Sequence, residues 1–156
     1  MPDRRGARPG HADYSGTPLP RKLGIRPGAT VALLDAPEGA GDLLGPLPDG
    51  VVVRRRAQGG LDVVVLFVTS RARLAARFGP AARALVPDGG LWVAWPRKGS
   101  GVPTDLDFDA VQRVGLDDGL VDNKVAAIDQ VWTSVRFVVR VADRPGRRAA
   151  GHRPGR

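Results

Sequence analysis

Three short stretches carry side chains able to do chemistry, and each follows an aliphatic run. Asp35, Glu38, Gly39 and Gly41 come after Thr30–Leu34, placing two carboxylates beside glycines that let a ligand approach the backbone closely. Thr69 and Ser70 come after Asp62–Val68 and supply two hydroxyls ahead of Arg71. Arg97, Lys98 and Ser100 belong to Trp95-Pro-Arg-Lys-Gly-Ser-Gly, which follows Leu91–Trp95. Two cations and a hydroxyl on a flexible loop can bind phosphate or carboxylate. That loop lacks the glycine-bounded spacing of a P-loop. A fourth stretch, Arg54-Arg55-Arg56, could hold a phosphate, but charges on an edge strand also block pairing with other chains, and the solvated edge is the expectation. Other chemistry is excluded. The chain has no Cys, so thiolate nucleophiles and Cys-ligated metals are out. His11 and His152 both lie near its ends, which leaves the centre without an imidazole for a Ser-His-Asp triad or a zinc site.

The elements that position these residues follow from hydrophobic period. Thr30–Leu34, Val51–Arg55 and Asp62–Val68 read as strands, and the unbroken apolar run of the third predicts burial on both faces. Between the first two, Asp42–Leu47 allows only a short helical piece. Leu74, Phe78, Ala81, Ala82 and Leu85 recur at helical spacing over 71–86, with Arg73 and Arg77 on another face. Gly79-Pro80 is expected to kink or split this helix at Phe78. Ser70 is its expected N-cap, and Pro87-Asp-Gly-Gly its stop. Leu91–Trp95 is the next strand. A helix over Asp105–Asp117 follows, capped by Thr104 and ended by Gly119. Val121–Ile128 and Val131–Val141 should form an antiparallel hairpin. Trp92, Trp132 and Phe137 are expected in the core. Strands alternating with helices predict an α/β fold with a mostly parallel sheet, mixed by its C-terminal antiparallel hairpin. Ligands in such sheets bind at the carboxyl ends of the strands.

The 156 residues fit one domain. Their net charge of +8 is uneven: +1 over residues 1–13, +5 over 144–156 and only +2 over the rest. Both terminal segments lack apolar pattern and are expected to be disordered, flanking a domain over 14–143. The longest wholly apolar run, Val63–Val68, is far short of the ~20 residues that span a bilayer. No apolar leader follows Met1, so the expectation is a cytoplasmic protein with no membrane partner.

Leu23-Gly-Ile-Arg-Pro-Gly-Ala-Thr-Val-Ala-Leu-Leu resembles the Pro-Gly turn and first strand of class I S-adenosylmethionine (SAM)-dependent methyltransferases. Ala84-Leu-Val-Pro-Asp-Gly-Gly-Leu-Trp-Val is similar to their helix, Pro-Gly-Gly turn and following strand. Together with Asp62 at the head of a long central strand and the closing hairpin, the resemblance runs over about residues 23–141. It implies a single Rossmann-like, methyltransferase-like domain. Tyr14-Ser-Gly-Thr-Pro-Leu-Pro-Arg-Lys-Leu-Gly-Ile, Phe67-Val-Thr-Ser-Arg and Trp95-Pro-Arg-Lys-Gly-Ser-Gly-Val-Pro-Thr-Asp-Leu further resemble a family of short bacterial proteins of unknown function. The cofactor handles depart from the methyltransferase pattern. Asp35 and Pro37 fall on the first two glycines of the cofactor loop, and Arg54–Arg56 fall where an acid would hold the ribose. A methyltransferase-like domain that binds a small anionic ligand or a protein partner without catalysis is therefore the first expectation, with no cofactor. Asp35, Glu38, Gly39, Gly41, Thr69, Ser70, Arg97, Lys98 and Ser100 are its candidate ligand contacts. A minimal SAM-dependent methyltransferase, with Asp35 or Glu38 as base, is the alternative. Weak nucleic-acid binding through the C-terminal segment is the third.

Overall fold

A computed structural model of the chain describes residues 17–144. The expectations for 1–13 and for 145–156 therefore concern positions outside the described residues. The element order is α1 (Leu19–Lys22), β1 (Thr30–Leu34), α2 (Ala40–Leu44), β2 (Val52–Arg54), β3 (Leu61–Phe67), α3 (Arg71–Arg83), β4 (Leu85–Pro96), α4 (Phe108–Asp117), β5 (Leu120–Ala127), β6 (Trp132–Val139) and a 3-10 turn over Val141–Asp143. The strands form one sheet in the order β2-β1-β3-β4-β6-β5. The first four run parallel, while β6 is antiparallel to both β4 and β5. The sheet is therefore the mixed, mostly parallel one that the alternation of elements predicts.

Side-chain alternation sorts the core into two layers. On one face Val31, Leu33, Val63, Val65 and Trp92 pack with Leu23 and Ile25, next to α1 and α2. On the other, Ala32, Leu34, Leu66, Val93 and Phe137 pack with Leu74 and Phe78 of α3 and Val111 of α4. Trp92 and Phe137 are core residues as expected, and the buried indole N–H of Trp92 donates to the Leu23 carbonyl at 3.0 Å.

Three local expectations are corrected. Helix α3 is not split at Phe78: it runs from Arg71 to Arg83 with Pro80 inside it. Pro80 and Ala76, whose carbonyl loses its helical partner, are both exposed residues. Pro87-Asp88-Gly89 does not stop the helix, which has already ended. It is a bulge within β4, where Leu61 pairs with Leu85 and Val63 with Gly90. A Cβ at Gly89 would lie 2.9 Å from the Leu61 carbonyl oxygen, so only glycine lets the bulge press against β3. Thr104 does not cap α4. Asp107 does, accepting from the Ala110 N–H at 2.8 Å, while Thr104 accepts from the Leu106 N–H at 3.1 Å ahead of the helix and donates to the Thr69 carbonyl at 2.6 Å. Gly119 closes α4 as expected, at φ 91, where a side chain would be strained.

The strand that bears on function most is the shortest. Residues 55–60 alone connect β2 to β3, about half the usual length of a crossover between parallel strands. With no helix to carry the chain back, β2 ends at Arg54, level with Ala32, while β1 continues to Leu34. It therefore stops about 7 Å short of the rim where β1 ends.

Candidate functional site

In a doubly wound sheet the ligand crevice opens where successive connections leave in opposite directions. Here that point lies between the carboxyl ends of β1 and β3, since β2 and β3 flank β1. A crevice of about 320 Å³ sits there, lined by Asp35, Pro37, Thr69, Ser70, Arg73 and Trp132 among others. It is at the small end of the range for small-molecule sites.

Asp35 dominates the electrostatics of this crevice. It is the only non-glycine with positive φ among the described residues, at 54°, a conformation that short polar side chains tolerate best. Its carboxylate is gripped by Arg77, whose Nε and Nη2 donate at 3.0 and 3.1 Å, and lies 3.5 Å from Arg73 Nε. Both guanidiniums are largely exposed. Asp35 and Arg73 line the crevice with opposite charges, Arg77 holds Asp35 from beside that lining, and the amino end of α3 adds its dipole. Ser70 caps that helix as expected, its Oγ accepting from the Arg73 N–H at 3.1 Å. The far wall is Trp132, which stands edge-on to Phe67 with ring centroids 5.1 Å apart. It is half-buried in this wall, where a core position was expected.

A second cavity, about 580 Å³, opens on the same rim at the end of β4. Trp95, Pro96, Leu106 and Phe108 line it together with the charged Arg97, Lys98 and Asp107. Arg97 is steadied by its Nε–H to the Gln130 carbonyl, at 2.6 Å. The two cavities are tied together. Thr104 donates to the Thr69 carbonyl, while Asp105 accepts from the Arg71 N–H at 2.8 Å. The segment leading into α4 is thus pinned against the start of α3.

The sequence-derived candidates separate accordingly. Asp35, Thr69 and Ser70 meet in the first cavity, and Arg97 and Lys98 line the second. Ser100 folds back into its own turn, accepting from the Val102 N–H, and lines neither. Glu38 is exposed, Gly39 is the N-cap of α2 and Gly41 lies in its first turn; none of the three lines either cavity. Arg54–Arg56 are exposed at the β2 edge. Reading the sequence alone missed Arg73, Arg77 and Trp132 as site residues. The available signal was the spacing of Arg73 and Arg77, four apart on a helix that begins at a strand end. Among the described residues no group of three or more His, Cys, Asp or Glu could hold a metal, and no helix is long and apolar enough to cross a membrane.

No protein-family model and no curated protein matches the chain. Solved structures do. It is similar to a SAM-dependent methyltransferase from Aquifex aeolicus, at 12% identity over 75% of this chain and 85% of that one, with a TM-score of 0.50. A Methanococcus jannaschii fibrillarin pre-rRNA processing protein matches at 13% identity over 73% and 68% of the two chains, TM-score 0.54. Magnesium protoporphyrin IX methyltransferase from Synechocystis PCC 6803, solved with bound SAH, matches at 11% identity over 78% of each chain, TM-score 0.52. The fold is methyltransferase-like. The rim residues fit the cofactor of such enzymes poorly: Asp35 puts an ion-paired carboxylate at the β1 end, Pro37 offers no N–H, and β2 brings no acid to the rim.

Proposed function

We propose that this domain binds a small ligand with an anionic head and an apolar body at the carboxyl rim, without transferring a methyl group. The observation that carries the reading is the pair of adjacent cavities. One is lined by Arg73 and by an Asp35 whose carboxylate Arg77 holds, and the other is largely apolar with Arg97 and Lys98 in its lining. Asp35 would oppose an anion if it were free. Held by Arg77, it leaves the crevice able to accept one.

A second reading is a minimal SAM-dependent methyltransferase, and the structural likenesses favour it. In that reading bound SAM supplies the methyl group, while the chain supplies a base and positions the acceptor. Both carboxylate oxygens of Asp35 are engaged by Arg77, and Oδ2 also lies 3.5 Å from Arg73, which leaves Glu38 as the other candidate base.

A thermal-shift screen separates the two. A ligand at ~100 times its dissociation constant adds about 2.7 kcal/mol of stability. Aromatic and aliphatic carboxylates and phosphate monoesters are expected to contain a stabiliser, and SAM and SAH are not. Micromolar affinity for SAM by calorimetry would replace the first reading with the second. Changing Arg97 and Lys98 together to alanine should alter stability by less than about 1 kcal/mol, since both are exposed. The same double change should remove the shift given by the anionic ligand. An unchanged shift would exclude the second cavity from binding.

A further inference from the structure

A third cavity, which neither reading uses, lies on the α1 face of the sheet and opens at the amino ends of the strands. It is a groove of about 550 Å³, lined by Lys22 and Arg26 from the α1 side, Lys124 and Arg136 from the β5–β6 hairpin, and Asp62 and Asp88 near the starts of β3 and β4. The register explains how distant stretches meet here. Arg136 lies opposite Trp92 on β4 and opposite Lys124 on β5, so all three share one face of the sheet. The Trp92 indole N–H holds the Leu23 carbonyl over that face, which brings Lys22 and Arg26 alongside. Lys22 then reaches across it, its Nζ donating to the Ala127 carbonyl at 3.4 Å.

Arg136 is the centre of the groove. It is half-buried, and its guanidinium is seated over β4, where a Cβ on Gly90 would come within 2.8 Å of Cζ. Only glycine at position 90 gives it that seat. Its one described hydrogen bond is from Nη1 to Asn123 Oδ1, at 3.5 Å, and it forms no ion pair within 4 Å among the described residues. Burial lowers its pKa, the Arg144 charge lowers it further, and Asp88 raises it. Lys124 directly across the strand pair adds like-charge repulsion, which destabilises a sheet. Stability alone gives no reason to set these cations together. Phosphate oxygens accept from both, and the planar fork of an arginine matches two of them at once.

The rest of the lining narrows the ligand. Leu23, Val63 and Trp92 line the groove but are buried, so they offer a ligand little apolar surface. Four cations against two acids give the lining a net positive charge, and one Asp62 oxygen is already engaged by the Thr30 N–H at 2.8 Å. Cations on two sides of a groove this size suit anionic groups at more than one point, where a lone phosphate would reach only one side. We propose that the groove binds a compact polyanion of linked phosphate groups, held by charge and without an apolar body. It is a second site, separated from the carboxyl rim by the depth of the sheet.

The test is a calorimetric titration of the full chain with sodium tripolyphosphate at moderate salt. Arg26 and Lys124 are exposed, so changing both to alanine should leave the melting temperature near the parent value. Affinity for tripolyphosphate is expected to fall at least tenfold in that variant. Changing Arg55 and Arg56 to alanine removes the same charge from the exposed β2 edge and should leave the affinity within twofold. Orthophosphate should bind the parent at least tenfold more weakly, and ATP no more tightly, since Trp92 is too buried to stack a base. Equal losses in the two double variants would mean a response to net charge alone and would overturn the proposal. So would affinity unchanged in the Arg26 and Lys124 variant, which would put the ligand elsewhere on the chain. Orthophosphate binding as tightly as tripolyphosphate would reject the linked phosphates, and ATP binding tenfold more tightly would reject recognition by charge alone.

Discussion

Changing Gly115 to alanine is expected to destabilise the domain by about 1–3 kcal/mol, the usual cost of overpacking a filled core. The sign is the informative part. In a solvent-facing helical position the same change gains about 0.8–1 kcal/mol from backbone entropy. Gly115 lies on the buried face of α4, and a Cβ there would drive into the Phe137 ring, with Cζ 2.7 Å away and two further ring carbons closer still. The ring has nowhere to go. Phe137 is fully buried and meets Phe78 edge-on at a centroid distance of 5.3 Å, which locks α4, α3 and β6 into one contact. Gly41, exposed in helix α2 with nothing within 4 Å of its notional Cβ, is the control and should gain stability as alanine. Chemical denaturation of the two variants reads both signs. If Gly115→Ala stabilises as Gly41→Ala does, the packing of α4 on β6 is not as described. Adding Phe137→Leu should recover part of the Gly115→Ala loss, because it vacates the volume that the methyl group needs.

How much of this was legible in the sequence depends on how local the deciding contact is. Strand β1 keeps its expected bounds because five β-branched and aliphatic residues between two turns leave one reading. The hairpin and the switch point follow from element order, so the rim that gathers Asp35, Thr69, Ser70, Arg97 and Lys98 was legible too. What failed was decided by partners distant in sequence. Thr104 has the chemistry of an N-cap, but its hydroxyl goes to Thr69, and Asp107 takes its place. Pro87-Asp-Gly-Gly reads as a turn, and becomes a bulge only because β3 lies against Gly89. Pro80 reads as a helix break, yet it lies on the exposed side of a helix whose other face, Leu74, Phe78 and Ala81, is held in the core. The site has the same limit. Asp35 reads as an unopposed negative charge in a cofactor loop, because the arginine that grips it is 42 residues away.

That pairing leads to the sharpest expected change in binding, produced by Asp35→Gly. Glycine accepts a φ of 54° without penalty, whereas an ordinary L-residue there costs roughly 1–2 kcal/mol. The lost ion pair with Arg77 is worth about 1 kcal/mol at most, given two exposed guanidiniums. The two effects oppose each other, and stability should stay within about 1 kcal/mol of the parent. Binding should not stay still. Removing the carboxylate leaves Arg73 in the crevice lining, with Arg77 next to it, uncompensated, and an anionic ligand should tighten about tenfold, or roughly 1.4 kcal/mol. Arg77→Ala does the reverse. It leaves Asp35 with only its longer contact to Arg73 beside the ligand and should weaken the same anion about tenfold. Calorimetry at low and moderate salt reads both, and the gap should narrow as salt screens the exposed charges. Opposite shifts from the two halves of one ion pair identify it as the regulator of charge in the crevice. Equal losses from both would reduce it to a strut between β1 and α3. The glycine variant also interrogates the fold's likeness to methyltransferases, since it restores flexibility where their cofactor loop bends. SAM binding that appears in Asp35→Gly and is missing from the parent would place the obstruction to the cofactor in this one carboxylate. If SAM still fails to bind, the obstruction lies in Pro37 and in a β2 that ends level with Ala32, which no change at Asp35 can lengthen.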